Sequence, residues 1–274
     1  MALQRLVLVR HGESLGNEAA SRADALGAHV VDIPTRDADT PLSPTGAEQG
    51  SAVGVALTGL GLDDSAALWS SPYVRARHTA ELAVAGAGLR LVPRVDERVR
   101  DRELGILDKL TSAGVLARYP DEAARKAHLG KFYYRPPGGE SWADVALRLR
   151  SFLADALAAP ADHGVVFAHE AIVYLIRYVL EGWDEATVLA AAHQEPVRNA
   201  AVTVLEREES GFWRATLVGD VSHLQQSGVE TTLHAGTDRA PTGGPVAPDT
   251  AAAGTGQSPA GSAEQAGAGR AGQC

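Results

Sequence analysis

The apolar residues of this chain alternate between short branched runs and helical stripes. Leu3 to Val9 reads LQRLVLV, a run suited to a buried strand, and it ends at Arg10-His11-Gly12, where a turn must begin. A helix is predicted from about Ser14. The segment TPLSPTGAEQGSAVGVALTGLG reads as a loop feeding a helix near Thr45, and AALWSSP as a second short strand. In VRARHTAELAVAGAG, Ala76, Ala80, Leu82, Ala83 and Val84 form an uneven apolar face that Gly86 and Gly88 terminate; Leu89 to Val95 supplies a third strand. Periodicity is poor from residue 96 to 137, which holds short helical pieces and predicts a long excursion over the sheet edge. The pattern returns in SWADVALRLRSFLADAL, where Trp142, Val145, Leu149, Phe152, Leu153 and Leu157 share one helical face, and Ser141 with Asp144 forms a capping box. GVVFAHE is a fourth strand, AIVYLIRYVLEG a buried helix, and AAVTVLERE with WRATLVG a closing pair of strands. Strand and helix alternate through most of the chain, which predicts an α/β protein, a three-layer α/β/α sandwich with a mainly parallel sheet.

Composition separates the end of the chain from the rest. From Gly236 to Cys274 there is no Leu, Ile, Met, Phe, Trp or Tyr, and Val246 is the one branched apolar residue. Such a stretch cannot bury enough surface to offset its ordering entropy, so residues 1–235 are read as one catalytic domain and 236–274 as a disordered low-complexity tail. The net charge of −9 argues against a nucleic-acid or anionic-membrane partner, both of which need a basic face. Any basic pocket must therefore be local. The single cysteine, Cys274, allows no internal disulfide, and no apolar run is long enough to span a bilayer, so a cytoplasmic location is expected. Nothing in the sequence decides between a monomer and a homodimer.

Hydrolysis of a phosphate monoester is among the slowest uncatalysed reactions, so its catalyst needs concentrated positive charge and an aimed nucleophile. Arg10-His11-Gly12 offers both at the carboxyl end of a strand, where open α/β sheets bind ligands and where a following helix points free N–H groups at an anion. Asn17, a turn into that helix, can add an amide donor. Arg75 follows the second strand and His169 ends the fourth, so both are expected on the same sheet edge as His11. Two guanidinium forks suit phosphate oxygens, and a second histidine can donate to an oxygen whose charge grows during transfer.

The segments LVLVRHGESLGN, TPLSPTGAEQG, SSPYVRARHTAE, ERVRDRELGILD, PPGGESWADVALRLRSFL, VVFAHE and PVRNAAVTVLE together resemble the histidine phosphatase superfamily, the phosphoglycerate mutase-like group, over about residues 3 to 220. The resemblance implies that fold, a phosphorylated nucleophile at His11, phosphate-binding companions at Arg10, Arg75 and His169, a small phosphorylated metabolite as partner, and neither metal nor other cofactor. It also implies a general acid four residues before Gly105, which is Asp101; most members have Glu there, and here Glu103 stands two residues later. Asp101 is favoured as the acid, with Glu103 beside the substrate. Phosphoglycerate mutases of the group carry an ERHYG segment and a basic RRSYD-like loop, whereas this chain has DRELG and FYYRPPGGES, so a phosphatase is favoured over mutase-type transfer.

Three further features bear on that expectation. Glu170 stands where members usually have Gly; a carboxylate there would raise the pKa of a nearby histidine, or pair with an arginine instead. His169-Glu170 lacks the second histidine of a zinc helix, since position 173 is Val. Tyr133, Tyr134 and Arg135, before a rigid Pro-Pro turn, are candidates to close over a substrate. His29, His128, His163 and His234 read as surface positions, His78 as pointing away from the site, and His193 and His223 carry no assignment. Two rival classes remain on the sequence alone. One is an acyl hydrolase with Ser14 in the Gly12-Glu13-Ser14-Leu15-Gly16 match to GxSxG, disfavoured because only one strand precedes it; the other is a non-catalytic phospholigand binder.

Overall fold

The computed structural model describes residues 3–234. The reading of residues 236–274 as a separate tail lies outside the described residues. β1 (Arg5–Arg10) leads through an extended Ser14 into α1 (Leu15–Ala25), and α2 (Pro44–Gly59) follows a long loop. Then come β2 (Ala67–Ser70), α3 (Val74–Gly86) and β3 (Arg94–Val95). The excursion carries α4 (Ser112–Arg118) and α5 (Pro120–Tyr133), the latter kinked at Gly130, before α6 (Trp142–Ala156). β4 (His163–Ala168), α7 (Glu170–Leu180), α8 (Glu185–Gln194), β5 (Val202–Arg207), β6 (Trp213–Asp220) and α9 (Ser222–Gln226) complete it.

The six strands form one sheet in the order β3-β2-β4-β1-β5-β6. β3, β2, β4 and β1 pair in parallel, and β5 and β6 add antiparallel, so the sheet is mixed with a parallel heart. Side chains alternate across it, as the strand period requires. Leu6 and Leu8 of β1 pack with α6, α7 and α8 on one face; Val7 and Val9 pack with α2 and α3 on the other. This is the three-layer sandwich expected.

One element differs from the sequence reading. The third strand shrinks to two exposed residues, because Leu89 to Pro93 lie over the end of α3 as an edge connection. The excursion holds short helical pieces as expected, α5 starting with Pro120 at its first position and broken at Gly130, whose φ of 75° and ψ of 160° are not helical. The capping box at Ser141 and Asp144 forms, with Asp144 N–H to Ser141 Oγ at 3.1 Å and Ser141 N–H to Asp144 Oδ2 at 2.8 Å. Among the described residues no helix is long and apolar enough to cross a membrane.

Candidate active site

Three parallel strands end at one place. β1 delivers Arg10 and His11 and β2 leads to Tyr73 and Arg75, all four lining a cavity of about 350 Å³, while β4 delivers His169 beside His11. The His11 backbone is held on both sides: its N–H donates to Ala168 O at 3.0 Å, and its carbonyl accepts from Ala200 N at 3.1 Å. Ala200 adopts φ 56°, a left-handed conformation that a non-glycine residue holds only under constraint, and it lies 0% exposed beside His11. Gly12 has no room for a side chain, since a Cβ there would sit 2.4 Å from Gly46 O. The loop after β1 and the start of α2 thus cross backbone to backbone, and that contact sets the turn carrying His11.

The His11 ring has a defined orientation. Nδ1 lies 2.7 Å from Gly12 O, and a carbonyl only accepts, so Nδ1 carries the proton and Nε2 keeps its lone pair. Arg75 Nε stands 3.3 Å from that Nε2. Burial, then the neighbouring charges of Arg75, His169 and Arg10, hold the His11 pKa well below its ordinary value. A buried neutral imidazole whose unprotonated nitrogen faces an arginine has the chemistry of a nucleophile toward an anionic electrophile.

His169 packs edge-on against His11, with ring centroids 5.1 Å apart. Its Nε2 meets Ser71 Oγ at 2.8 Å, and Ser71 Oγ already accepts from Tyr73 N at 3.2 Å. Ser71 Oγ can donate to His169 Nε2 or accept from it, and His169 Nδ1 lies 3.3 Å from Asp101 Oδ2 with no hydrogen bond among the described residues. Burial and then Arg75, Arg10 and Arg148 lower the His169 pKa well below the ordinary range. Glu170 does not counter this; its carboxylate turns toward Arg10, Nη1 to Oε2 3.9 Å, which is the second of the two courses the sequence allowed.

Arg10 is 3% exposed and donates to the carbonyls of Val197 and, at 3.4 Å, His234. Its Nε is buried with no hydrogen-bond partner among the described residues, which leaves a donor for a ligand in the cavity Arg10 lines. Asn17 Oδ1 accepts from Ser14 N at 3.1 Å and Asn199 Nδ2 at 3.2 Å, so its oxygen caps α1 and its amide group lines the cavity. The two candidate acids separate clearly. Asp101 Oδ2 lies 3.3 Å from both Arg75 Nη2 and His169 Nδ1, whereas Glu103 sits at the rim, 50% exposed, accepting from Tyr73 Oη at 2.9 Å. The excursion is anchored behind Asp101 by Arg148, which donates to Asp101 O at 3.0 Å and pairs with Glu140 at 2.9 Å.

Some sequence expectations part from this geometry. Arg135 is not brought to the cavity; it is 62% exposed and pairs with Asp144 at the start of α6. Tyr133 is half exposed outside the cavity and Tyr134 is buried in the excursion, its hydroxyl donating to Glu122 Oε2 at 2.8 Å. His234 is no surface residue: its ring bridges Glu13 Oε2 and Ser21 Oγ, each at 2.6 Å, as the last described segment crosses the site. His223, left without assignment, is buried near Asp220. Sequence reasoning did not single out Ser71, Asp37 or Arg148. Ser71 and Arg148 stood inside quoted segments, but nothing local marked Arg148 or Asp37, since the site partners that define them, Asp101 and Arg75, lie 47 and 38 positions away.

A family model of the histidine phosphatase superfamily (branch 1) matches residues 6–220. The chain is similar to a probable phosphoglycerate mutase, GpmB, of Erwinia tasmaniensis, 28% identical over 232 residues that cover 82% of this chain and 97% of the relative. It is also similar to the solved structure of mycobacterial glucosyl-3-phosphoglycerate phosphatase with inorganic phosphate, at TM-score 0.62 and 28% identity over 80% of this chain and 99% of the other. The same mycobacterial phosphatase in complex with VO3 gives a TM-score of 0.63 at 30% identity, covering 80% of this chain and 100% of the other. The family match, spanning most of the chain and every strand-end residue described above, makes this protein a member of the histidine phosphatase superfamily.

Proposed function

We propose that the protein is a metal-independent phosphatase that hydrolyses a small phosphorylated metabolite through a phosphohistidine on His11. The observation that carries the proposal is the His11 ring, with Nδ1 tied to Gly12 O at 2.7 Å and the unprotonated Nε2 facing Arg75 Nε at 3.3 Å. In this reading Nε2 attacks phosphorus while the bond to the leaving oxygen breaks, and Asp101 gives that oxygen its proton. Arg10, Arg75, Asn17 and His169 hold the phosphoryl oxygens. Water then attacks the phosphohistidine, its proton passes to Asp101, and inorganic phosphate leaves with His11 restored. The arginines supply the positive charge that the transition state needs.

Hydrolysis is favoured over return of the phosphoryl group to a retained sugar acid. The wall facing the leaving group carries Asp37, Asp108 and Glu103, and its cations are engaged: Arg36 pairs with Asp39 at 2.7 Å, Lys109 donates to Ile33 O at 3.0 Å, and Lys131 lies over the Trp142 ring at 4.5 Å. The similar proteins carry both a mutase and a phosphatase name. Incubation with a panel of phosphorylated sugars, polyols and phosphoglycerates, with separate assay of inorganic phosphate and isomerised ester, decides the matter. Phosphate release without isomerisation is expected; interconversion of 2- and 3-phosphoglycerate without release would make it a mutase, and neither product would make it a binder.

A further inference from the structure

Arg75 is 4% exposed, and each of its five N–H groups has an acceptor within reach. Nε faces His11 Nε2 at 3.3 Å. Nη1 donates to Asp37 O at 2.6 Å and Asp37 Oδ1 at 3.0 Å, and Nη2 donates to Asp37 Oδ2 at 3.1 Å and Asp101 Oδ2 at 3.3 Å. Asp37 thus takes the whole end of the guanidinium, fork to fork, with three of the five donors. The remaining edge, Nε with one N–H of Nη2, is the one that faces His11 and Asp101.

We infer that Asp37 is a positioning residue for phosphoryl transfer: by clamping the outer end of Arg75 it leaves only the edge beside His11 Nε2 for the phosphate. The inference rests on the reading of His11 as nucleophile. A guanidinium can grip phosphate bidentately through its end or through its side edge, and the two poses differ in where phosphorus lies relative to the attacking nitrogen. With the end occupied, a phosphoryl oxygen displaces only the weaker acceptors, His11 and Asp101, and phosphorus is drawn toward Nε2. Asp37 sits in a short turn (Asp37–Asp39) of the loop between α1 and α2, with its side chain 47% exposed, so it is no part of the core. The clamp has an electrostatic cost. Asp37 places a second negative charge on the arginine that must bind a dianion, and together with burial it raises the pKa of Asp108 in the same cavity. It therefore favours alignment at the expense of phosphate affinity.

That opposition gives the test. Asp37→Asn keeps the size of the side chain and removes the charge. With p-nitrophenyl phosphate, kcat is expected to fall by roughly ten- to a hundredfold, the scale at which misplaced reacting groups lose rate. Inorganic phosphate and orthovanadate, measured by calorimetry and as inhibitors, are expected to bind as tightly as to the wild type or tighter. An unchanged kcat would overturn the inference, and so would phosphate binding that weakens in step with kcat, because Asp37 would then support binding rather than alignment. If the wild type itself turned over no ester, the reading of His11 would fail instead. The calorimetric arm would still decide Asp37, since weaker phosphate binding by the variant contradicts the clamp.

Discussion

Asp101 and Glu103 differ by two positions in sequence and by much more in surroundings. Asp101 lies against the buried Arg75 and His169, while Glu103 meets the Tyr73 hydroxyl and is half exposed. A proton delivered to a leaving alkoxide must come from a group within hydrogen-bond reach of it, and the proposed function gives that role to Asp101. Asp101→Asn is expected to lose roughly 10²–10⁴-fold in turnover of an alkyl phosphate and far less with p-nitrophenyl phosphate, whose leaving group needs no proton. Glu103→Gln is expected to show little such contrast; the opposite pattern would move the acid along the loop. At this scale the sequence was legible where a residue sits at the end of a strand. Arg10, His11, Arg75 and His169 follow from strand boundaries and motif spacing, because the parallel sheet brings those ends together. Arg135 and His234 were not, because a long side chain on a loop settles with whichever partner the tertiary fold supplies, here Asp144 and Glu13.

Among the elements, β1, β2 and β4 were readable as short apolar runs buried on both faces, and α6 and α7 as helices with an apolar stripe, α6 with its capping box as well. β3 was readable in place but not in length, and α8 and α9 were not readable, because short helices with little apolar contrast resemble loops. The most exacting contact in the site is also invisible in a pattern of polarity. A Cβ at Gly46, inside the first turn of α2, would fall 1.8 Å from Glu13 O, with backbone on both sides and nothing flexible to yield. Gly46→Ala is expected to cost at least about 1–3 kcal/mol in denaturant unfolding and to lower turnover by shifting the turn after His11. Gly50→Ala, whose Cβ would meet the Leu82 side chain at 3.2 Å, is the comparison and is expected to cost less. Equal midpoints for the two variants would contradict a rigid crossing at Gly46.

For the molecule as a whole, a chain of net charge −9 buries two arginines, Arg10 and Arg75, beside two histidines at one sheet edge. Burial and the arginines there hold His11 and His169 neutral, and the sign of the consequence is fixed. A histidine whose folded pKa is depressed binds fewer protons folded than unfolded, so the folded state loses stability as pH falls below about 6.5, down to the depressed value. Over that same interval the nucleophile keeps its lone pair. The most direct measurement is rapid mixing with an ester carrying a labelled phosphoryl group, quenched in alkali, at about pH 7 and again at about pH 5.5, on either side of the ordinary histidine value. The account predicts acid-labile, alkali-stable label on the protein at both values, formed at similar rates, and none in His11→Ala. Label and turnover that persist in His11→Ala would contradict it, as would a wild type whose labelling collapses with the ordinary histidine pKa.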